Sequence, residues 1–591
     1  MNNYIFPFQK IEKNEDFVLY GAGNVGKCFY KQIITSKYAH LVAWVDRKFS
    51  ELQKEGLPVS DVENIHTMPS FSHIVIAIDN EFIASQVRDE LKNNFNIPED
   101  KIVWASNYRF ANNGLFLNQD QQKEYGIAGE LTQISPKEML RSYRLDLAVR
   151  YLMAKDIING VENRDNISLY SRMLLIRTNA EENDKYYYDT ERRGTWDYIN
   201  SVKKLCESIK DNGFIKERFI PLGDNGVFLN GAHRIAVSLA LEEDIWVTKL
   251  PGKNGNVDYD FRWFDENGFN TQDKIRILRA YADIYEQCGI IVLFGPCKEQ
   301  WNYIEKQLTN HMCIVGHVDL DFSDNYIAYE NLFREIYADP LWRNVYIDRK
   351  IELLMMDELI IRVILVSDEG FESEDLYKKI EAYKLELRAR MFFDTDIAPV
   401  VMHGSNSKEE YIHLKQILLS VNNLEHLKMR VTRNYSDEFI GKLDELKGAL
   451  REKNISEQDV VISGSSGWEI FGLRKADDID FIVLEKYRKK YGYNTISWTD
   501  NIDYTRKNSI KVDDDTLYQD ELLINDDNYH YIFYGLKFVN LSLMARKKGF
   551  DKRNKDVRDC RLYELFKDYS KNFNNKTLLK EQIERVFYRK R

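Results

Sequence analysis

The stretch VVISGSSGWEIFGLRKADDIDFIVLEKYR, residues 460–488, places Asp478 and Asp480 at the start of an apolar run that is typical of a buried strand. Alternate residues of a strand face the same side, so the two carboxylates are predicted to lie together, with Cα atoms about 7 Å apart. Two carboxylates entering an apolar strand are costly unless a cation meets them. Hard cations such as Mg²⁺ prefer oxygen ligands, so the pair predicts a metal site.

A glycine turn precedes this pair. Gly464, Ser465 and Ser466 follow the predicted strand DVVIS and precede a short helix, so their amides and hydroxyl groups are predicted to bind the triphosphate that the metal bridges. A third carboxylate on a neighbouring strand would complete such a site and activate an attacking hydroxyl group. Asp503, in NIDYTR, is the candidate, with the three aspartates of residues 513–515 behind it.

The order Gly-Ser, short helix, Asp-x-Asp resembles the signature of the nucleotidyltransferase fold. The resemblance implies a mixed sheet with a helical tail over residues 430–591, and transfer from an NTP (ATP or CTP) with Mg²⁺ as cofactor. Two other interpretations stay open: a lone Asp-x-Asp is commonly a solvated strand end, and degenerate members of this family bind without turnover. The basic residues of the tail form either a solvated face or a surface for an anionic substrate, and they are Arg546, Lys547, Lys548 and Arg553.

Composition limits the class of protein. The chain has 591 residues, 44% of them hydrophobic, with 83 basic and 94 acidic side chains and a net charge of -11. This balance argues against a protein that grips duplex nucleic acid through its phosphates, although it is compatible with a small basic pocket for a nucleotide. The six cysteines form no CxxC pair, which disfavours a disulfide framework or a structural zinc site. No signal-peptide core and no apolar run of about 18 residues occurs, so we expect a soluble, cytoplasmic protein without a membrane span.

The N-terminal segment, residues 1–110, alternates strand and helix patterns, which predicts a parallel sheet. Gly21, Gly23 and Gly26 form a Gly-x-Gly-x-x-Gly turn between a strand and a helix, and Asp46 ends the next strand. Such glycines let a phosphate approach the backbone, and the acid can bind a ribose or sugar hydroxyl group. The pattern resembles the Rossmann dinucleotide fingerprint, which implies NAD or a nucleotide-sugar as ligand. A domain that packs without binding a cofactor is the alternative.

The second segment, residues 111–265, contains LCESIKDNGFIKERFIPLGDNGVFLNGAHRIAVSLAL. This stretch predicts a helix, a strand with a hairpin turn, and a second helix that opens at Gly231, His233 and Arg234. A glycine turn at a helix N-terminus, backed by a guanidinium group, is a phosphate cradle, and His233 is a candidate donor or general base. The pattern is similar to the ParB/sulfiredoxin α+β fold, which implies that Gly231, His233 and Arg234 bind a nucleotide. Alternatively, His233 and Arg234 only pair locally.

The third segment, residues 271–425, is a further α/β module without an assigned role. His403 and Ser405 end the predicted strand of PVVMHGS, where sites in α/β proteins usually form. Ser407 and Glu410 predict a capping box, which explains Ser407 without catalysis. The stretch VGHVDLDF offers a second pair of aspartates, as in a degenerate copy of the fourth segment, although its spacing is long.

The leading hypothesis is a multidomain bacterial enzyme of surface-polysaccharide or nucleotide-sugar metabolism, by analogy with proteins that carry similar half-Rossmann modules. It would transfer a phosphoryl or nucleotidyl group to a small hydroxylated acceptor or sugar, with Asp478 and Asp480 as metal ligands and Asp503 completing the site or acting as base. Three phosphate-cradling turns in one acidic chain motivate it. Three alternatives remain: a regulatory or scaffold protein that senses nucleotides without turnover, a nucleotidyltransferase toxin or defence protein that acts on RNA, and a nicotinamide redox enzyme.

Overall fold

The chain folds into two compact units, Met1–Tyr259 and Asp260–Arg591. The boundary falls in the stretch PGKNGNVDYDFRWFDENGFNTQDK, whose glycines and asparagines predict a junction between domains. The structure is a computed structural model, and it describes residues 4, 6–104, 131–178, 194–249, 254–337, 347–355, 358–371, 375–391, 400–430, 435–491, 497–504 and 509–570. The predicted α/β class is confirmed, with one parallel sheet and further mixed and antiparallel sheets.

The N-terminal part of the first unit is a four-stranded parallel sheet in the order β2-β1-β3-β4. Its strands are β1 (Asp16–Tyr20), β2 (His40–Val45), β3 (His73–Ile76) and β4 (Ile102–Val103), and its helices are Asn24–Ser36, Phe49–Lys54 and Glu81–Asn93. Phe17 and Leu19 share a core with the first of these helices, whereas Val18 and Tyr20 share another with the last. Because successive side chains face opposite sides, the apolar run of β1 is buried on both faces.

The rest of the first unit combines helices with a three-stranded sheet in the order β5-β7-β6. The strands are β5 (Thr132–Ile134), β6 (Ile220–Leu222) and β7 (Ile245–Lys249), and the helices are Asp146–Ile158, Arg164–Thr178, Gly194–Asn212 and Ala232–Leu241. The helix Gly194–Asn212 ends before Gly213, whose φ of 68° is the left-handed conformation that favours glycine. The predicted sequence of helix, strand and helix is present.

The second unit begins with an antiparallel sheet in the order β11-β8-β10-β9. The strands are β8 (Cys288–Phe294), β9 (Cys313–Asp321), β10 (Ile360–Ser367) and β11 (Met402–Gly404). The helices are Phe261–Glu266, Thr271–Ile284, Trp301–Leu308, Tyr326–Ile336, Ile347–Met355, Leu376–Met391, Lys408–Leu418 and Val421–Met429. Every residue of the central strand β8 is buried, which explains its unbroken apolar run.

The candidate site lies in a six-stranded mixed sheet in the order β14-β15-β13-β12-β19-β18. The strands are β12 (Val460–Ile462), β13 (Ile479–Val483), β14 (Ser497–Thr499), β15 (Ile502–Tyr504), β18 (His530–Phe533) and β19 (Leu536–Val539), with a separate hairpin of β16 (Ser509–Lys511) and β17 (Leu517–Gln519). The helices are Asp437–Glu452, Ser466–Ile470, Glu485–Tyr491, Asp520–Asn525, Leu541–Asp551 and Asn554–Ser570. β13 runs antiparallel to β12 and parallel to β15, so three chain segments approach one another at the aspartates.

Buried and partly buried polar contacts join the two sheets of the second unit. The Asn422 side chain donates to the His530 carbonyl oxygen at 2.5 Å, and the Asn423 side chain accepts from the Ile532 N–H at 2.8 Å. Glu335 accepts from the Tyr534 N–H at 3.0 Å. The helix Val421–Met429 therefore holds the mixed sheet against the antiparallel one.

All six cysteines are free thiols. Within the described ranges, no helix combines the length and the apolar character that crossing a lipid bilayer requires.

Candidate functional site

Three predicted aspartates of the second unit, Asp478, Asp480 and Asp503, form an aspartate cluster at one end of β13 and β15. The parallel pairing of these strands sets Asp480 directly beside Asp503. Asp478 precedes Asp480 by two residues and so faces the same side. One oxygen from each carboxylate lies within 4.8 Å of the other two, and all three residues are half-buried. Among the described residues, this is the one group of three or more Asp, Glu, His or Cys side chains close enough to hold a metal ion.

Burial and the neighbouring negative charges raise the pKa of Asp480. Burial is the largest of the causes that raise the pKa of Asp480 to about 6, and Asp478 and Asp503 add to it. Lys548 and Lys555 oppose this shift by favouring the ionised form. Both burial and like charge disfavour a carboxylate, and a divalent cation held by the same oxygens would relieve both. The cluster therefore has the donor atoms and the electrostatic requirement of a Mg²⁺ site.

The glycine turn lies against the aspartate cluster. Gly464 has a φ of 69°, and a Cβ placed on it would overlap the carboxylate of Asp480. Only glycine therefore allows the backbone to approach this carboxylate so closely. The Ser466 hydroxyl donates to the Asp478 carbonyl oxygen at 3.4 Å, and Ser465 is buried beside it. The turn and the cluster form one site, in which the phosphate-binding role of Gly464 and Ser465 stays a prediction.

Buried side chains fix the loop that leads into the cluster. Glu469 accepts from the Ala476 N–H at 2.6 Å and from the Ser436 hydroxyl at 2.7 Å. Lys442 donates to the carbonyl oxygen of Asp477 at 2.9 Å. No sequence motif marks these supporting residues, because Lys442 and Ser436 lie more than 30 residues from the groups that they contact.

All four basic residues of the tail have acidic partners. Arg546 and Arg553 are exposed, as a solvated face requires, whereas Lys548 is buried and departs from that interpretation. Lys548 is only 4% exposed and lies 2.7 Å from Asp559, to which Arg474 also donates twice, at 2.7 and 3.0 Å. The Trp468 indole N–H donates to the backbone carbonyl of Asp559 at 3.1 Å. The tail helix Asn554–Ser570 is thereby tied to the short helix that follows the glycine turn. Similar pairs hold the other three, namely Arg546–Asp513, Lys547–Asp551 and Arg553–Asp556.

The aspartates of residues 513–515 do not belong to the cluster. Asp513 accepts from the N–H groups of Asp515 at 3.1 Å and Thr516 at 2.7 Å. It therefore shapes the turn of the β16–β17 hairpin.

The N-terminal glycine turn is hydrogen-bonded to Asp46, the acid that the sequence motif pairs with it. Gly21 has a φ of 100°, and a Cβ on Gly26 would overlap the Gly21 carbonyl oxygen, whereas Gly23 faces open space. Asp46 directly follows β2, one residue beyond its last strand position, and its carboxylate accepts from the Ala22 N–H at 2.6 Å and from the Lys48 N–H at 2.8 Å. The carboxylate predicted to bind a ribose or sugar hydroxyl group is thus hydrogen-bonded to the backbone of the turn. Binding of NAD or a nucleotide-sugar stays a prediction.

The His-Arg turn of the first unit lines a cavity of about 850 Å³. Gly231 has a φ of 100° and precedes the helix Ala232–Leu241. Arg234 donates to the backbone carbonyl oxygens of Arg218 and, at 3.0 Å, Phe219. His233 Nε2 lies 2.7 Å from the hydroxyl of the buried Tyr170. Both side chains therefore make the local contacts that formed the alternative interpretation, although both also face the cavity.

The polar residues of the third segment have structural partners. His403 is buried, with Nε2 3.2 Å from Glu410, and burial lowers the pKa of His403 despite this carboxylate. Ser405 accepts from the Ile290 N–H at 3.1 Å. Ser407 caps the Glu410 N–H at 3.2 Å, but the Glu410 carboxylate accepts from Asn406 instead of closing the predicted capping box.

The second acid pair, Asp319 and Asp321, is likewise engaged. Asp319 receives two hydrogen bonds from Arg362, at 2.7 and 2.8 Å. Asp321 accepts from the N–H of Ser323 at 2.8 Å and from its hydroxyl at 2.6 Å. The all-antiparallel sheet around them differs from the mixed sheet of the aspartate cluster. The idea that the third segment is a degenerate copy of the fourth is therefore wrong.

Comparisons of the chain with models of protein families, with curated proteins and with solved structures found no match.

Proposed function

We propose that the aspartate cluster carries out Mg²⁺-dependent phosphoryl or nucleotidyl transfer from an NTP to a small hydroxylated acceptor. The observation that carries the proposal is the convergence of Asp478, Asp480 and Asp503 within 4.8 Å of one another, beside a glycine turn. The order of turn, short helix and aspartate-bearing strands supports the resemblance to the nucleotidyltransferase fold.

The residues present fit a divalent metal. Carboxylate oxygens are the ligands that Mg²⁺ prefers. Burial and the neighbouring Asp478 and Asp503 raise the pKa of Asp480, so its ionised form is disfavoured, and a bound cation would favour it. The space beside its carboxylate is kept open by Gly464, where any side chain would overlap it. Bound there, Mg²⁺ would supply charge stabilisation for the phosphate being transferred.

The chain's own residues divide the work in this proposal. Asp478 and Asp480 hold the metal, and the amides at Gly464 and Ser465 take phosphate oxygens. Asp503 receives the proton of the acceptor hydroxyl group at a carboxylate oxygen, or completes the metal site. The acceptor oxygen forms a bond to phosphorus, and the bond to the leaving group breaks. Attack at the α-phosphorus releases pyrophosphate, and attack at the γ-phosphorus releases a nucleoside diphosphate.

The acceptor class comes from analogy. We propose a sugar or another small polyol of bacterial surface-polysaccharide metabolism, with ATP or CTP as donor, because the parallel sheet with a glycine turn supports the N-terminal resemblance. The net charge of -11 supports a small-molecule acceptor over a nucleic acid.

The test is a product assay with α- and γ-labelled ATP and CTP, a panel of sugars, and Mg²⁺ or EDTA. The wild-type chain is expected to release pyrophosphate or a nucleoside diphosphate only with Mg²⁺. Asp480→Asn should abolish release, whereas Asp477→Asn, which changes an exposed neighbour outside the cluster, should not. Product formation in EDTA, or an active Asp480→Asn chain, would show that the proposal is wrong.

A further inference from the structure

The cavity of the first unit has a basic lining. Its cationic side chains come from five separate elements or loops, and they are Arg144, Arg177, Lys204, Arg218 and Arg234. No Asp or Glu occurs among the described residues that line the cavity. In a chain with a net charge of -11, such a concentration of one sign creates a strong local field for anions.

One wall of the cavity rests on a buried charge cluster. Arg144 is 3% exposed and Arg150 is 1% exposed, and both donate to the single carboxylate of Asp146. The Nε and Nη2 atoms of Arg150 are buried without a hydrogen-bond partner. One buried carboxylate thus balances only one of the two buried guanidinium charges. An anion in the cavity would compensate the remaining positive charge.

The residues of the His-Arg turn position this site more than they contact a ligand. Arg234 donates from Nη1 to the backbone carbonyl oxygens of residues 218 and 219. This bond fixes Arg218 at the cavity next to the start of the helix Ala232–Leu241, whose first N–H groups add partial positive charge. Arg177, Lys204 and Arg218 are then the cations on which a bound anion would chiefly depend.

The size and lining of the cavity select the class of ligand. A volume of about 850 Å³ exceeds what a single phosphate needs. Several cations around one space match a chain of two or three phosphates. The half-buried ring of Tyr198 also lines the space, and a flat ring can pack against it. The ring of Phe228 is covered by the guanidinium group of Arg144, and Arg177 lies over the ring of Tyr259.

We infer that this cavity binds a small molecule with a diphosphate or triphosphate chain, and that it does so without a divalent metal. The described lining offers no carboxylate to hold Mg²⁺, so the protein cations themselves meet the phosphate charges. Mg²⁺ would compete with them by neutralising the ligand in solution. The site is independent of the transfer proposed for the aspartate cluster.

The experiment is calorimetric titration of the full-length chain carrying Asp478→Asn and Asp480→Asn, which removes the other nucleotide site from the measurement. Tripolyphosphate, ATP, CTP and adenosine are titrated in EDTA and in excess Mg²⁺. Tripolyphosphate and at least one nucleotide should bind in EDTA, adenosine should not bind, and Mg²⁺ should weaken binding. Tighter binding of ATP or CTP than of tripolyphosphate would identify a nucleotide, and equal binding would identify the phosphate chain alone as the recognised group.

Single substitutions locate the site. Arg218→Ala and Lys204→Ala, both at exposed positions, should each weaken binding about tenfold, as expected for a lost charged hydrogen bond. Lys203→Ala is the matched control, because Lys203 is exposed on the same helix but does not line the cavity. The inference is overturned if no phosphate compound binds in EDTA, if binding requires Mg²⁺, or if Lys203→Ala weakens binding as much as the other two.

Discussion

The aspartate cluster of the second unit and the basic cavity of the first have opposite charge, although we propose that both bind a phosphorylated molecule. In the cluster, three carboxylates crowd together beside a glycine turn, and phosphate can approach only through a cation. In the cavity, five cationic side chains surround a space with no described acid, and phosphate can approach directly. The difference teaches that the net charge of a chain does not predict how it binds a phosphate. The local charge of each site decides whether a metal ion is needed.

The largest expected effect separates the two sites by mutation. Replacing Asp478 and Asp480 by asparagine removes two of the three carboxylates proposed to hold the metal, so transfer should fall by at least about 100-fold. Binding of tripolyphosphate in EDTA should not change. Initial rates of product release and calorimetry on the same preparation measure both. Equal losses at both sites would contradict their independence.

A smaller effect is expected from the glycine turn. In Gly464→Ala the new methyl group would overlap Asp480 at a φ of 69°, so Mg²⁺ affinity should fall about tenfold and the free energy of unfolding by about 1–2 kcal/mol. Gly441→Ala is the control, since Gly441 lies in the helix Asp437–Glu452 with open space around its Cβ position. That change should stabilise the chain by about 0.5–1 kcal/mol. If both variants bind Mg²⁺ like the wild type, the turn does not shape the cluster.

The pH dependence of Mg²⁺ binding sharpens the comparison further. Because the pKa of Asp480 is raised to about 6, protons compete with the metal as the pH falls through this value. Mg²⁺ affinity should be constant near pH 8 and fall by up to about tenfold per pH unit below 6. A flat Mg²⁺ affinity from pH 8 to pH 5 would mean that Asp480 is not a ligand.

The smallest effect concerns stability without metal. A carboxyl group whose folded pKa lies above its unfolded value stabilises the fold below the unfolded value of 3.8, and this contribution is lost as the pH rises through about 6. Removing the charge with Asp480→Asn should therefore stabilise the metal-free chain at pH 7.5, by about 1 kcal/mol after allowing for partial exposure. Thermal unfolding in EDTA measures it, with Asp477→Asn as control. Addition of Mg²⁺ should reverse the order and favour the wild type.

Patterns that depend on neighbouring residues were predictable. The alternation of strands and helices predicts the parallel sheet, because buried strands and amphipathic helices have different periods. The i, i+2 rule places Asp478 and Asp480 on one face. Asp503 followed from the need for a third carboxylate on an adjacent strand, and the register of β13 and β15 sets it beside Asp480.

Contacts between distant segments were not predictable in this way. The burial of Lys548 depends on Asp559 and Arg474, which come together only when the tail packs on the mixed sheet. The basic cavity combines residues from 144 to 259, and no local pattern in the sequence marks them as one site. Asp46 occupies the position that its motif predicts, but its carboxylate accepts a hydrogen bond from the Ala22 N–H of the turn. Aspartate side chains often bond to backbone groups in this way, and the motif does not reveal it.

The central claim is that the aspartate cluster is a metal site, and titration of Mg²⁺ into the full-length chain at pH 7.5 tests it most directly. Calorimetry should show at least one Mg²⁺ bound per wild-type chain, retained in Asp477→Asn and lost in the Asp478→Asn/Asp480→Asn chain. Equal Mg²⁺ binding by the wild type and the double variant, or none by either, would contradict the claim and leave the three aspartates without a metal to bring them together.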